Sequence, residues 1–434
     1  MKRLPFLLAT LLVAAPVLAA DLMQVYREAL GNDAQYAAAR ATVEAGREKA
    51  PQGLAGLLPT IGASANTTWN ENTYTGIDRK FNGNGYNVNL TQPLFRWQNY
   101  LQYGQAKMQV VQAEANFAQA GQDLILRVAQ AYFDVLNAQE NLRAVQANKT
   151  AIAQQLEQAK KNFEVGTATI TDSHEAQSRF DLASAQEIAA ESDLEVKRYA
   201  LRVVVGKEAG ELSPLKPQAT LSPPQPASMD KWVDAAEKGS FAVQAQQAAA
   251  EIADTEVARN RAGHYPTLDV VANYGESVAG ASQFGAARAE IATRNIGLQL
   301  NIPIFQGGSV NSKVREAAAN RSAAQATLEN AKRSAALAAR QAYLGVVSGL
   351  AQVRALEAAL VSSGSALESN KLGYEVGVRI NIDVLNAEQQ VYSTRRDLVK
   401  ARFDTLLAQL KLKAAVGTLG EDDLQQVSAL FAAR

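Results

Sequence analysis

Few residues in this chain could carry catalysis, and their spacing argues against it. The 434 residues include two histidines, His174 and His264, and no cysteine. Neither histidine has a second at metal-ligand spacing, and no G-x-S-x-G, H-E-x-x-H or phosphate-loop motif occurs. Without thiols there is no disulfide, no thiolate metal site and no lipid attached through cysteine. Asn82-Gly83-Asn84-Gly85 is the one Gly-rich piece of that kind, and it reads as a turn. His264 reads as a junction residue beside a strand start, and His174 as an exposed residue next to a helical turn. No cofactor and no enzymatic activity are expected. Two carboxylates do occupy matched settings. Asp172 and Asp383 each follow a Glu-Val-Gly turn and precede an apolar-periodic helix, a placement suited to an N-cap.

That matching is general. Phe163-Glu164-Val165-Gly166, then Asp172 and Ala176, returns as Tyr374-Glu375-Val376-Gly377, then Asp383 and Ala387, 211 residues later. Ala131-Tyr132-Phe133 answers Ala342-Tyr343-Leu344, and Gly206 answers Gly417. Leu90 to Phe95 and Leu300 to Phe305 form another pair, as do Pro59-Thr60-Ile61 and Pro266-Thr267-Leu268. Two copies of one long unit predict a quasi-symmetric body with a two-fold internal repeat.

The elements that must position these residues follow from periodicity. In each half, two segments alternate apolar with small polar residues: Ile61 to Trp69 and Val88 to Leu90, then Leu268 to Tyr274 and Ile296 to Ile302. Such alternation predicts strands apolar on one face and wet on the other. They read as about ten residues long, joined by polar, glycine-bearing linkers over residues 70–85 and 275–294. A proline-free helical stretch follows each strand pair, over residues 98–165 and 309–376. Either would run on the order of 100 Å if continuous. Val135, Leu142, Leu156 and Phe163 share a heptad track that Lys149 interrupts; Val346, Val353, Leu360, Leu367 and Tyr374 repeat it unbroken. Seven-residue spacing predicts helices packed as coiled coils. A second helix runs back after each Val-Gly turn, and residues 213–226, with five prolines, connect the halves.

Lys2 and Arg3 before an apolar run, then Val17-Leu18-Ala19-Ala20, predict a secretory leader. No later window holds the ~18 uninterrupted apolar residues of a membrane helix. Acidic and basic residues balance at 43 each, which argues against a nucleic-acid partner. Four amphipathic strands cannot close a barrel, and open edges are not tolerated in lipid. Closure therefore requires several chains. Trp69, Tyr74, Tyr86, Phe95, Trp97, Tyr100, Tyr265, Tyr274, Phe284 and Phe305 gather at the expected strand ends, as interfacial girdles would. The alternative is a periplasmic coiled-coil adaptor, scaffold or surface adhesin, which would not need duplicated amphipathic strand pairs.

Several ordered motifs carry a resemblance: Asp21 to Tyr26, Leu58-Pro59-Thr60, Ala131 to Ala138, Phe163 to Gly166, Gly263 to Leu268, Pro303 to Gly308 and Gly377 to Leu385. Across essentially the whole mature chain the sequence resembles the TolC family of outer-membrane channels of multidrug efflux and type I secretion. The resemblance implies an α+β membrane protein, a homotrimer whose chains each give four strands to a 12-stranded transmembrane β-barrel. A long α-helical coiled-coil barrel continues it through the periplasm of a Gram-negative bacterium. On that reading residues 1–20 are the signal peptide. Residues 21–59, 96–206, 229–266 and 306–417 are helical barrel. Residues 60–95 and 267–305 are membrane strands, and 207–228 and 418–434 an equatorial region. The implied partners are outer-membrane lipid, a periplasmic adaptor (membrane fusion protein) and an inner-membrane transporter. The implied gating contacts are Thr171, Asp172, Tyr374 and Arg379, with Arg379 clamped to Asp172 and Thr171. Asp383 and Asn386 fall on the entrance selectivity ring, where close relatives carry a second acid in place of Asn386. Gly166, Thr167, Gly377 and Val378 fall at the tips expected to meet the adaptor.

Overall fold

A computed structural model describes residues 20–74, 77–167, 169–216, 218–279 and 288–432. The expected leader as far as residue 19, and Phe284, lie outside the described residues. The elements run α1 (Leu22–Asn32), α2 (Ala34–Arg47), α3 (Lys49–Ala55), β1 (Thr60–Tyr74), β2 (Ile77–Phe95), α4 (Trp97–Glu164) and α5 (Ile170–Val205). Then come α6 (Met229–Gly239), α7 (Phe241–Arg261), β3 (Thr267–Ala279), β4 (Ala289–Asn301), α8 (Ser309–Glu375), α9 (Asn381–Ala415) and α10 (Glu421–Ser428). They form two compact units, one of residues 39–119 and 238–335, the other of the remainder.

The first unit holds an antiparallel sheet in the order β1-β2-β3-β4. Register fixes its two faces, since side chains alternate along each strand. One face aligns Ala63, Val88, Tyr274 and Arg294 across the four strands, and beside them Ile61, Leu90, Ala272 and Ile296. The other aligns Ser64, Asn87, Gly275 and Thr293, and beside them Gly62, Asn89, Asn273 and Asn295. The apolar face is bare: Ile296 is 78% exposed, and Leu298, Leu300 and Ile61 are also exposed. Asn273 Nδ2 donates to Asn295 Oδ1 at 3.0 Å on the polar face. Near the start of β3, Asp269 is buried and receives both Nε and Nη2 of Arg96, at 2.8 and 2.7 Å.

The strands are longer than the expected ten residues, at 15, 19, 13 and 13. Residues 70–74 and 77–85, expected as linker, are paired strand, and so are the ends of the 275–294 stretch. Pairing continues where apolar alternation stops, helped by an ion pair of the directly opposed Glu71 and Lys80 at 2.5 Å. The Gly-rich 82–85 piece is therefore mid-strand. Neighbouring backbone explains such glycines: a Cβ on Gly275 would lie 2.6 Å from the Tyr86 carbonyl oxygen. The lengthening also moves Tyr86 and Tyr274 into the strand interiors, where their rings sit 6.4 Å apart, and not at the ends. Pro93 has no N–H to give, and the β2–β3 register shifts there.

In the second unit, α1 carries Leu22, Val25, Tyr26 and Ala29 on one buried stripe. They join Leu124, Val128 and Tyr132 of α4, Leu201 and Val205 of α5, Leu406 and Leu410 of α9, and Leu424 of α10 in one core. Phe133, Phe403 and Phe431 stack there, with Phe133 5.4 Å from Phe403 and 6.0 Å from Phe431. The Tyr132 hydroxyl lies 3.0 Å from the Ser213 carbonyl and 3.2 Å from that of Ala20. Burial pushes this phenol far above its usual range, and pushes Tyr26 up to about 12 with help from Glu421. Ala20 is buried, and its N–H donates to the Glu211 carbonyl at 2.6 Å. The two segments expected at the equator touch: the Lys216 N–H donates to Leu430 O, and the Ala432 N–H to Pro214 O. α8 does contain a stretch long and apolar enough to cross a membrane. Only 11% of that stretch is buried within the chain, and Glu357 of α8 pairs with Arg402 of α9 at 2.7 Å.

Candidate functional site

The two long helices end in the same turn. The Thr167 N–H donates to Asn162 O at 2.8 Å, and the Val378 N–H donates to Gly373 O at 2.8 Å. This closure puts the intervening glycine in the left-handed region, at φ 78° for Gly166 and 77° for Gly377. A Cβ on either would meet nothing within 4 Å, so backbone conformation and not space demands glycine. Val165, Val376 and Val378 stand exposed around the turns.

The helices that follow begin differently. Thr169 caps α5: its Oγ1 accepts from the Asp172 N–H, while Asp172 Oδ2 accepts from the Thr169 N–H at 3.0 Å and from its hydroxyl at 2.9 Å. Ile380 caps α9 and has no side-chain oxygen to offer. Both capping residues are extended and stand three residues before the aspartate, so each helix starts two residues before it. The N-cap expectation is corrected accordingly. Asp172 and Asp383 are third-position residues, and Asp383 has no capping partner to hold it.

Within one chain Arg379 pairs with Asp383, Nη1 to Oδ2 at 3.7 Å, and not with Asp172 or Thr171. The pair is exposed enough that water screens it to below ~1 kcal/mol. Thr171 is exposed on the first turn of α5. The Tyr374 hydroxyl accepts from Asn162 Nδ2 at 3.2 Å, tying α8 to α4. Asn386, exposed on α9, accepts from Arg179 Nη2 of α5 at 3.0 Å.

Sequence reading missed the most buried charge here. Glu388 is 4% exposed and receives Lys371 Nζ of α8 at 2.8 Å and Gln155 Nε2 of α4 at 3.1 Å. It joins three helices of both repeats. Burial, then the Glu388 charge, raises the Tyr392 phenol above its usual range. A signal existed: Val384, Leu385 and Glu388 sit at helical spacing on one buried stripe, so an acid occupies a core position. With Asn162–Tyr374 and Arg179–Asn386, this makes three polar ties from the first helix pair to the second, all near the glycine turns. Among the described residues no cluster of three or more His, Asp or Glu could hold a metal ion.

Comparison with known proteins agrees with the duplication and the fold. The family described as "Outer membrane efflux protein" matches the chain twice, over residues 25–207 and 232–418. The outer membrane protein TolC of Vibrio cholerae is 33% identical over 432 residues, covering 99% of this chain and 98% of that protein. The alkaline protease secretion protein AprF of Pseudomonas aeruginosa is 33% identical over 431 residues, covering 97% and 89%. The crystal structure of the outer membrane protein VceC of Vibrio cholerae superposes with a TM-score of 0.77 at 21% identity, over 91% of this chain and 96% of that one. The chain therefore belongs to the outer membrane efflux protein family and has the fold of its channels, with its place in the outer membrane of a Gram-negative bacterium.

Proposed function

We propose that this outer-membrane exit duct, of an efflux or type I secretion system, is completed by three copies of the chain, each giving four strands to one barrel. One observation carries the reading. The sheet has two outer strands, β1 and β4, and an exposed apolar face. A lipid-facing sheet with unpaired edges is not viable, so β1 of one copy must meet β4 of the next. The polar face of Ser64, Asn87, Gly275 and Thr293 then lines the lumen. The duct is passive: an inner-membrane transporter and a periplasmic adaptor supply the cargo. The Gly166-Thr167 and Gly377-Val378 turns are where the adaptor docks, and the exposed valines beside them offer small apolar contacts.

The entrance is held closed by polar contacts that a partner can outcompete. Thr171, Asp172, Tyr374 and Arg379 make them, Arg379 reaching Asp172 of a neighbouring copy while keeping Asp383 within its own chain. Asp383, with Asn386 one turn on, forms the constriction ring, and one carboxylate per copy favours cations weakly. Native mass spectrometry of the detergent-solubilised protein tests the assembly. A trimer is expected, and a channel-forming monomer would overturn the reading. Tyr374→Phe with Arg379→Ser is expected to raise single-channel conductance while leaving the trimer intact. Conductance unchanged from wild type would remove the clamp from these residues.

A further inference from the structure

Arg179 makes a contact near the ring that neither the repeat nor the family resemblance supplies. Its equivalent in the second half is Gln390, 211 residues on, so duplication did not place it. The guanidinium reaches across from α5 to α9 and donates through Nη2 to Asn386 Oδ1 at 3.0 Å. Glu175 of its own helix faces it with Oε1 at 3.8 Å, a half-exposed pair that water screens as it screens Arg379 and Asp383 at 3.7 Å. Asn386 lies one helical turn from Asp383, on the same face of α9. The guanidinium is thus held one turn from the ring carboxylate.

The partner's chemistry decides the consequence. An acid at position 386 would neutralise Arg179, whereas an amide oxygen accepts its hydrogen bond without cancelling its charge. Each chain then presents at this level two screened pairs, Asp383 with Arg379 and Glu175 with Arg179, and the Arg179 guanidinium is fixed in place by the Asn386 amide. We propose that Arg179 is a specificity-determining residue of the entrance. Through Asn386 it latches α5 to α9, and its retained charge cancels much of the cation preference of Asp383, so that the entrance admits anionic cargo. The proposal rests on the trimeric-duct reading. Three guanidiniums around one axis give a ring of the opposite sign beside the carboxylate ring.

The test is the reversal potential of the full-length protein in planar bilayers under asymmetric KCl. Arg179→Gln and Arg179→Ala are expected to raise the K⁺ over Cl⁻ permeability ratio at least two-fold. Arg179→Lys keeps the charge and is expected to hold the wild-type ratio. Asn386→Asp, which turns the latch into an ion pair, is expected to raise the ratio and to lower conductance. Ratios in Arg179→Gln and Arg179→Ala equal to wild type, or a Lys variant that shifts as far as the Gln variant, would overturn the assignment. A wild-type protein that conducts no ions would instead overturn the duct reading itself, and this proposal with it.

Discussion

Asp172 and Asp383 occupy one position in two copies of one repeat, yet they do different work. In the first copy Thr169 stands three residues earlier, and its hydroxyl and N–H occupy the Asp172 carboxylate. In the second copy Ile380 stands there, and Asp383 turns to Arg379. A reciprocal capping box needs an oxygen at the N-cap, and isoleucine has none. A carboxylate's job is therefore set by the residue three places before it, even where the motif around it is duplicated. The same divergence occurs along the coils. Lys149 and Glu187 pair at 2.7 Å in the first, where the second has Leu360 and Leu398. Leu398 is buried with Val353 and Ala401. Phe163 in the first copy is Tyr374 in the second, which gains the Asn162 contact. Gln177 of the first, which donates to Asp181 of its own helix, corresponds to the buried Glu388 of the second. The inter-repeat ties thus use residues that differ between the copies, one from each side.

If that asymmetry is real, Glu388→Ala should be the most damaging of the exchanges. It strips Lys371 and Gln155 of their shared acceptor. Loss of a fully buried ion-pair partner costs ~3–5 kcal/mol, and Lys371 is half-exposed, so about 1–3 kcal/mol is expected. A melting temperature equal to wild type would mean that Glu388 joins nothing. Next, Ile380→Thr should make the second copy resemble the first. The new hydroxyl caps α9, adds about 1 kcal/mol of helix stability and draws Asp383 away from Arg379. A crystal structure showing Asp383 still on Arg379 would refute the capping rule.

Smaller effects are expected in the coil. Glu187→Leu leaves Lys149 facing an apolar neighbour and should lower the melting temperature. Lys149→Leu with Glu187→Leu copies the Leu360–Leu398 layer and should restore it, because an apolar pair can replace an ion pair without loss. A double variant less stable than the single one would break the equivalence. The weakest effect is on pH. The hydrogen bond from Lys149 holds the Glu187 carboxyl below its usual value of 4.5. Folding then favours the ionised form, so this contribution is present above pH ~4.5 and is lost as pH falls through the lowered folded pKa. The double leucine variant should unfold less steeply below pH ~4.5, and an unchanged acid limb would argue against the pair.

Much of this was legible in the residues. The repeat, the alternating strand segments and the two glycine turns each write a local rule plainly: a period of two, a period of seven, a positive φ. The strand ends were not legible, because residues 70–85 are held by cross-strand pairing and not by apolar alternation. The helix starts were misplaced since an extended capping residue intervenes between turn and helix. Lys149 was visible as a break in a heptad track, but its answer, Glu187, lies on another helix. Glu388 and Arg179 were hidden for the same reason: their partners are 17 to 233 residues away, across helices that only the fold brings together.

The central distinction is between a carboxylate fixed at a cap, Asp172, and one without a cap, Asp383, proposed to set the selectivity of the entrance. It is tested most directly by comparing Asp172→Ala with Asp383→Ala in planar bilayers under asymmetric KCl. The expected result is a fall in the K⁺ over Cl⁻ permeability ratio for Asp383→Ala alone, with Asp172→Ala keeping the wild-type ratio. Equal shifts in the two variants, or no shift with Asp383→Ala, would contradict it.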